Sequence, residues 1–184
     1  MPRRADTTRD LCFDVVTPEQ NAEIEMKRER LLQDNVLNEM WSLFYLSNLF
    51  LFPMYAGFEE KHEITRPEFV TLYNLHHLDG LIARDISTLS GLPKNSISRG
   101  VKRLSSKGLI EGRPDNQDRR RMVLRITDAG RDLFATLLET ASSRRQQMIA
   151  PLSPGERAML KEILLKLARN ATKRLEGQAG LQPA

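Results

Sequence analysis

A chain of 184 residues that is 40% hydrophobic and 28% charged, with a net charge of +4, belongs with folded globular proteins and excludes disordered and collagen-like chains. The length suffices for one domain with a subunit-pairing extension. Cys12 is the only cysteine, which excludes an intrachain disulfide framework and a cysteine-rich zinc site and fits a reducing cytoplasm.

Residues 1–21 carry Pro2 and Pro18 and show no apolar period; a flexible arm is expected there. Arg3-Arg4 precedes no apolar run, so no export signal is expected. Residues 22–63 are expected to form an N-terminal dimerisation helix. Mixed charges at Glu23, Glu25, Lys27, Arg28, Glu29 and Arg30 give way to a stripe of Leu32, Val36, Met40, Leu43 and Ser47 at helical spacing. No charged residue stands between Met40 and Phe58. The stretch has about the length of a membrane span, but Ser42, Ser47, Asn48, Pro53 and Gly57 interrupt it and no basic cluster flanks it. An interface between subunits, with no membrane contact, is the preferred reading. Gly57 and the polar run Glu59 to Glu63 mark its exit.

Residues 64–130 hold the most informative pattern. Thr65-Arg66-Pro67-Glu68 reads as a capping box, opening a helix with Phe69, Leu72, Tyr73 and His76 on one side. Asp79-Gly80 turns the chain. Ile82 to Ser90 is a short helix with Ile82, Ile86 and Leu89 on one face. Gly91 supplies a left-handed turn, and Pro93 suits the first turn of the next helix. That second helix places Ile97, Val101 and Leu104 inside and Lys94, Asn95, Ser96, Ser98, Arg99 and Lys102 outside, and Gly108 ends it. A strand begins at Leu109-Ile110, Pro114 to Asp118 is a turn, and Met122 to Ile126 returns with Met122, Leu124 and Ile126 on one side. Arg119, Arg120 and Arg121 sit at the tip. A helix pair with a glycine turn, followed by a basic hairpin, has the form of a winged helix-turn-helix.

The charge is concentrated in the same place. Between Gly91 and Arg131 eleven Lys and Arg face four acids, so this segment carries +7 while the whole chain carries +4. A basic patch on a slightly acidic body is the footprint of a nucleic-acid binder.

Residues 131–175 are expected to hold linking and dimerisation helices. Thr127 caps a helix carrying Leu133, Leu137 and Ala141, which lasts until Ala150-Pro151. Ser153-Pro154-Gly155-Glu156 is a second capping box, and its helix bears an apolar seam of Met159, Leu160, Ile163, Leu164, Leu167 and Ala171. Residues 176–184 are expected to fray. The fold expected is therefore mainly α with a small β wing.

The run from Leu81 to Gly130 resembles the winged helix-turn-helix of the MarR family of bacterial transcription regulators. Three segments carry the resemblance: LSGLPKNSISRGVKRLSSKGLI from Leu89 to Ile110, DNQDRRR from Asp115 to Arg121, and LRITDAGR from Leu124 to Arg131. The family's wing usually reads D-x-R-D-R-R. Asp115, Asp118, Arg119 and Arg120 match it, while Gln117 replaces an arginine. The resemblance extends more loosely over Leu31 to Leu175. It implies a homodimer formed through the first and last helices, acting as a repressor that a small aromatic or anionic effector releases.

On this reading double-stranded DNA is the partner. Asn95, Ser96, Ser98 and Arg99 are expected at major-groove base edges, with Arg99 reading guanine through its bidentate fork. Lys94, Lys102 and Arg103 are expected on phosphates. The resemblance implies that Asp118 positions Arg120, which is expected to enter the minor groove with help from Arg119. The effector, a phenolic acid or its thioester, is expected among Trp41, Phe44, Tyr45, Phe69, Tyr73, His76 and Phe134. His76 and His77 point about 100° apart on a helix, so at most one faces a given pocket.

Other readings exist. Leu11-Cys12-Phe13 resembles a triplet in the organic-hydroperoxide-sensing branch of the family, although Pro18 and a charged stretch separate it here from the first apolar helix. An architectural DNA-binding protein without an effector would share the same motifs. Catalysis is not expected: His62, His76 and His77 lack metal-ligand spacing, and neither a phosphate loop nor a nucleophile motif occurs. No cofactor is implied.

Overall fold

The computed structural model describes residues 18–33, 35–115 and 121–179. They fall into two compact units, the first ending at Phe52 and the second beginning at Pro53.

The first unit opens with α1, Pro18–Gln33. Its charges pair along the surface, Lys27 with Glu23 at 2.6 Å and Arg28 with Glu25 at 2.5 Å. The single helix expected over residues 22–63 is instead divided, because α2 spans Asn38–Leu46. The Asn35 side-chain oxygen accepts the Leu37 N–H at 2.8 Å, an Asx turn that competes with helical bonding. Val36, expected within the apolar stripe, lies on this turn and is 95% exposed. Helical backbone then continues through a π turn, Ser47–Leu51, into α3, Phe52–His62. Pro53 accounts for the wide turn: it cannot donate, and its ring crowds the carbonyl four residues back. Gly57, expected to mark an exit, lies inside α3.

In the second unit α3 is stopped by Glu63, the residue after its end, which adopts φ +56, and the Ile64 N–H closes on the Phe58 carbonyl at 3.2 Å. The expected capping box opens α4, Arg66–His77, with both Thr65 and Glu68 taking part. α5, Ala83–Ser90, ends on Gly91 at φ 68, and α6, Lys94–Ser106, starts after Pro93. The hairpin consists of β1, Ile110–Pro114, antiparallel to β2, Met122–Ile126, with Ile110 opposite Ile126 and Gly112 opposite Leu124. Leu81 adds an isolated bridge to Leu124. The long helices are α7, Asp128–Ile149, and α8, Pro154–Ala179.

Phe58, Ile64, Leu72, Leu75, Ile86, Ile97, Leu104, Phe134 and Leu137 form a fully buried core, which Ile110, Leu124 and Ile126 of the hairpin join. Burying a large apolar side chain contributes about 1.5–3 kcal/mol each, so this cluster holds the helix-turn-helix to α4 and α7. Met122 does not join Leu124 and Ile126 in the core. It is 48% exposed, because the hairpin projects past the core at that end.

Thr127 caps α7 by accepting the Gly130 N–H at 3.1 Å. The second capping box also forms: Glu156 accepts the Ser153 N–H at 2.8 Å, and the Ser153 hydroxyl oxygen accepts the Glu156 N–H at 3.4 Å. The tail expected to fray from Glu176 remains helical to Ala179. A lone Gly177 costs only about 1 kcal/mol against alanine and does not stop a helix already propagating. Among the described residues no helix is long and apolar enough to cross a membrane.

Candidate nucleic-acid interface

α6 is presented by what its inner face buries. Ile97, Gly100 and Leu104 are buried, and Val101 is half-buried. A Cβ on Gly100 would stand 3.3 Å from the Pro67 backbone carbonyl carbon and 3.4 Å from the Glu68 nitrogen. The close approach of α6 to the start of α4 thus depends on a residue without a side chain. The α5–α6 turn is tied locally, since the Ser87 hydroxyl donates to the Leu92 carbonyl at 2.7 Å.

Opposite that inner face, Lys94, Asn95, Arg99 and Lys102 are all exposed, and Ser96 and Ser98 are half-buried on the flanks. The helix has the amides and cations for base edges and phosphates on one side, and its anchoring groups on the other. Ser96, Arg99 and Arg103 also line a shallow cleft of about 280 Å³ with Thr65, Pro67 and Gly100.

Arg103 differs from the other basic residues of α6. Its Nε lies 3.3 Å from the Glu68 Oε1, and Nη2 donates to the Glu63 carbonyl at 3.4 Å. Lys107 Nζ donates to the same carbonyl at 2.6 Å and stands 3.8 Å from Glu68 Oε1. Glu68 is 0% exposed. Its spacing to Thr65 revealed the cap, but the ion pairs with α6 depend on tertiary packing and left no sequence signal.

Beside α6 the hairpin keeps its register to the last rung, where the Asp115 N–H donates to the Arg121 carbonyl at 2.9 Å. Arg113 pairs with Glu111 at 2.9 Å, and Arg125 pairs with Asp79 at 3.4 Å. Asp118, Arg119 and Arg120, expected at the minor groove, lie outside the described residues, as does Cys12.

The residues expected around an effector separate into two sets. In the second unit Phe134 forms the centre of a ring cluster, 6.0 Å from Phe69, 6.2 Å from Tyr73 and 4.6 Å from His76. Phe69 and Phe134 are buried core, whereas Tyr73 and His76 are exposed. In the first unit the Trp41 and Phe44 ring centres lie 5.5 Å apart at a tilt of 42°, and the Arg28 guanidinium lies 5.5 Å from the Tyr45 ring centre. Among the described residues no group of three or more His, Cys, Asp or Glu is placed to hold a metal ion.

Known proteins resemble this arrangement. The MarR family model matches residues 62–121, from the end of α3 to Arg121. The uncharacterized HTH-type transcriptional regulator YdgJ of Bacillus subtilis strain 168 is 28% identical over 106 residues, 58% of this chain and 63% of that one. The chain thus spans about three-fifths of that relative's length. The structure of the transcriptional regulator SlyA superposes with a TM-score of 0.68 at 19% identity, covering 76% of this chain and 97% of that one. The PcaV transcriptional regulator of Streptomyces coelicolor gives a TM-score of 0.51 at 29% identity, covering 69% of this chain and 95% of that one; another structure of PcaV holds its natural ligand. With its two-stranded wing, its glycine-turned helix pair and the family match over residues 62–121, this part of the chain resembles the MarR family.

Proposed function

We propose that the protein is a homodimeric, sequence-specific DNA-binding transcription regulator that represses from a pseudo-palindromic operator and is released by a small aromatic or anionic effector. The observation that carries the DNA reading is the division of α6. Ile97, Gly100 and Leu104 seat it, and Asn95, Arg99 and Lys102 remain exposed beside a registered hairpin. Arg99 is assigned to guanine, Asn95, Ser96 and Ser98 to neighbouring base edges, and Lys94 and Lys102 to phosphates. Arg120, with Asp118 and Arg119, is assigned to the minor groove.

Pairing of subunits is supported by large apolar side chains left exposed on a single chain. Met40, Leu43 and Phe44 lie on α2, and Met159, Ile163 and Leu167 lie on α8. Patches of that kind mark association surfaces. Two recognition helices spaced by about 34 Å then read successive turns of one duplex. An effector reading is supported by the exposed Tyr73 and His76 over the buried Phe69 and Phe134, which offer a ring face and a hydrogen-bonding edge to an aromatic acid. PcaV, a structural relative, has a natural ligand.

The test is selection of bound duplexes from a random-sequence pool, followed by competition against unselected duplex. Recovery of a two-fold-symmetric site is expected, with release by aromatic carboxylates. A pool that emerges unenriched would sink the proposal.

A further inference from the structure

We infer that Glu68 is a positioning residue for DNA reading: its buried carboxylate holds Arg103 and Lys107 as internal counterions, and so sets the rotation of α6. This rests on the proposed role of α6 at DNA.

Both carboxylate oxygens are engaged, in different ways. Oε2 accepts the Thr65 N–H at 2.9 Å, and the Thr65 hydroxyl donates to it as well. Oε1 receives no aligned hydrogen bond, yet it faces Arg103 Nε at 3.3 Å and Lys107 Nζ at 3.8 Å. The two cations are four residues apart, hence on one flank of α6 and within reach of one carboxylate. Both also donate to the Glu63 carbonyl.

An ionised carboxylate with no exposure is tolerated only when it is paired. Drawing Arg103 or Lys107 away toward a phosphate would weaken that pairing, so the two roles compete. Phosphate contact therefore falls to Lys94 and Lys102, whose side of α6 is open. Gly100, one turn before Arg103, makes the second point of the seat by touching Pro67. A steric stop at Gly100 and an ionic stop at Arg103 and Lys107 fix the helix about its own axis. Arg99 stands one turn before Arg103 and Asn95 one turn before Arg99, so the direction of both follows from that seat.

The experiment compares the wild type with Glu68→Gln and Arg103→Gln, all as full-length chains. Fluorescence anisotropy reads binding to a wild-type-selected duplex and to random duplex across a salt series, and thermal unfolding reads the fold. Glu68→Gln keeps an oxygen for the Thr65 cap but loses the charge. It is expected to lower the preference for the selected duplex about tenfold, since a site held loosely loses discrimination before affinity. Release of two cations is expected to steepen its salt slope by about one or more. Arg103→Gln is expected to lower preference with the salt slope unchanged, a pattern that a mere loss of folded protein cannot produce. If Glu68→Gln does not fold, Arg103→Gln alone carries the test. Wild-type preference and slope in Glu68→Gln overturn the inference, as does a slope flattened by about one with preference intact in Arg103→Gln. A wild type that selects no duplex overturns the DNA-reading proposal itself, and this inference with it.

Discussion

Gly130 stands so close beneath the Leu109 carbonyl that a Cβ added to it would lie 2.1 Å from the oxygen. The contact joins the first turn of α7 to the segment between α6 and the wing. Around it the Thr127 N–H donates to the Leu109 carbonyl at 3.1 Å, and the Thr127 hydroxyl donates to the Gly108 carbonyl at 2.8 Å. Gly130→Ala must displace backbone rather than a flexible side chain. It is expected to destabilise the protein by about 3 kcal/mol or more, read as a lowered denaturant midpoint. Thr127→Ala, which loses the cap, is expected to cost about 1 kcal/mol.

Arg99→Ala and Lys102→Ala are expected to separate the base reading proposed for Arg99 from the phosphate contact proposed for Lys102. The first is expected to cost about 1–3 kcal/mol on the selected duplex and to relax sequence preference at one position. The second is expected to weaken every duplex alike and to flatten the salt slope by about one unit. Competition binding at several salt concentrations checks both. Full preference retained in Arg99→Ala would remove Arg99 from the reading role.

Charge placed on the exposed apolar seam of α8 is expected to separate subunits. Ile163→Glu and Leu167→Glu each introduce a carboxylate where burial against a partner would leave it unpaired. Sedimentation velocity is expected to show a monomer at concentrations where the wild type is a dimer, with binding to the two-fold site lost. A variant that still sediments as a dimer would place the interface elsewhere.

The capping box of α8 predicts an acid sensitivity. Hydrogen bonds from the Ser153 hydroxyl and backbone hold the Glu156 carboxyl below its ordinary range. A carboxyl whose folded-state value is depressed adds stability above its unfolded-state value and loses it as pH falls through the folded-state value. The wild type is therefore expected to lose helical signal more steeply on acidification than Glu156→Gln, whose amide oxygen still accepts the Ser153 N–H. Circular dichroism across a pH series reads the difference, and identical profiles would remove Glu156 from this role.

The ring cluster around Phe134 predicts ligand stabilisation. Aromatic carboxylates at about a hundred times their dissociation constant are expected to stabilise the fold by roughly 2.7 kcal/mol. Tyr73→Ala and His76→Ala alter exposed residues rather than the core, so they are expected to fold and to lose the shift. Thermal unfolding across a panel of such acids checks this, and a panel without a shift would argue against an effector at these rings.

What the sequence determined by itself was local. Both capping boxes, the turn at Gly91, the extent of α6 and the return strand Met122–Ile126 were legible, because each depends on bonds or periods spanning only a few residues. The same spacing argument failed where a short-range competitor intervened, as with the Asx turn at Asn35 and the π turn before Pro53. Tertiary structure alone decided the ion-pair partner of Arg103. On a helical wheel Arg103 is one more outward cation, and only the crossing of α6 over the start of α4 brings it to a buried carboxylate. An ion pair between distant segments depends on how two elements cross, and no local period records that.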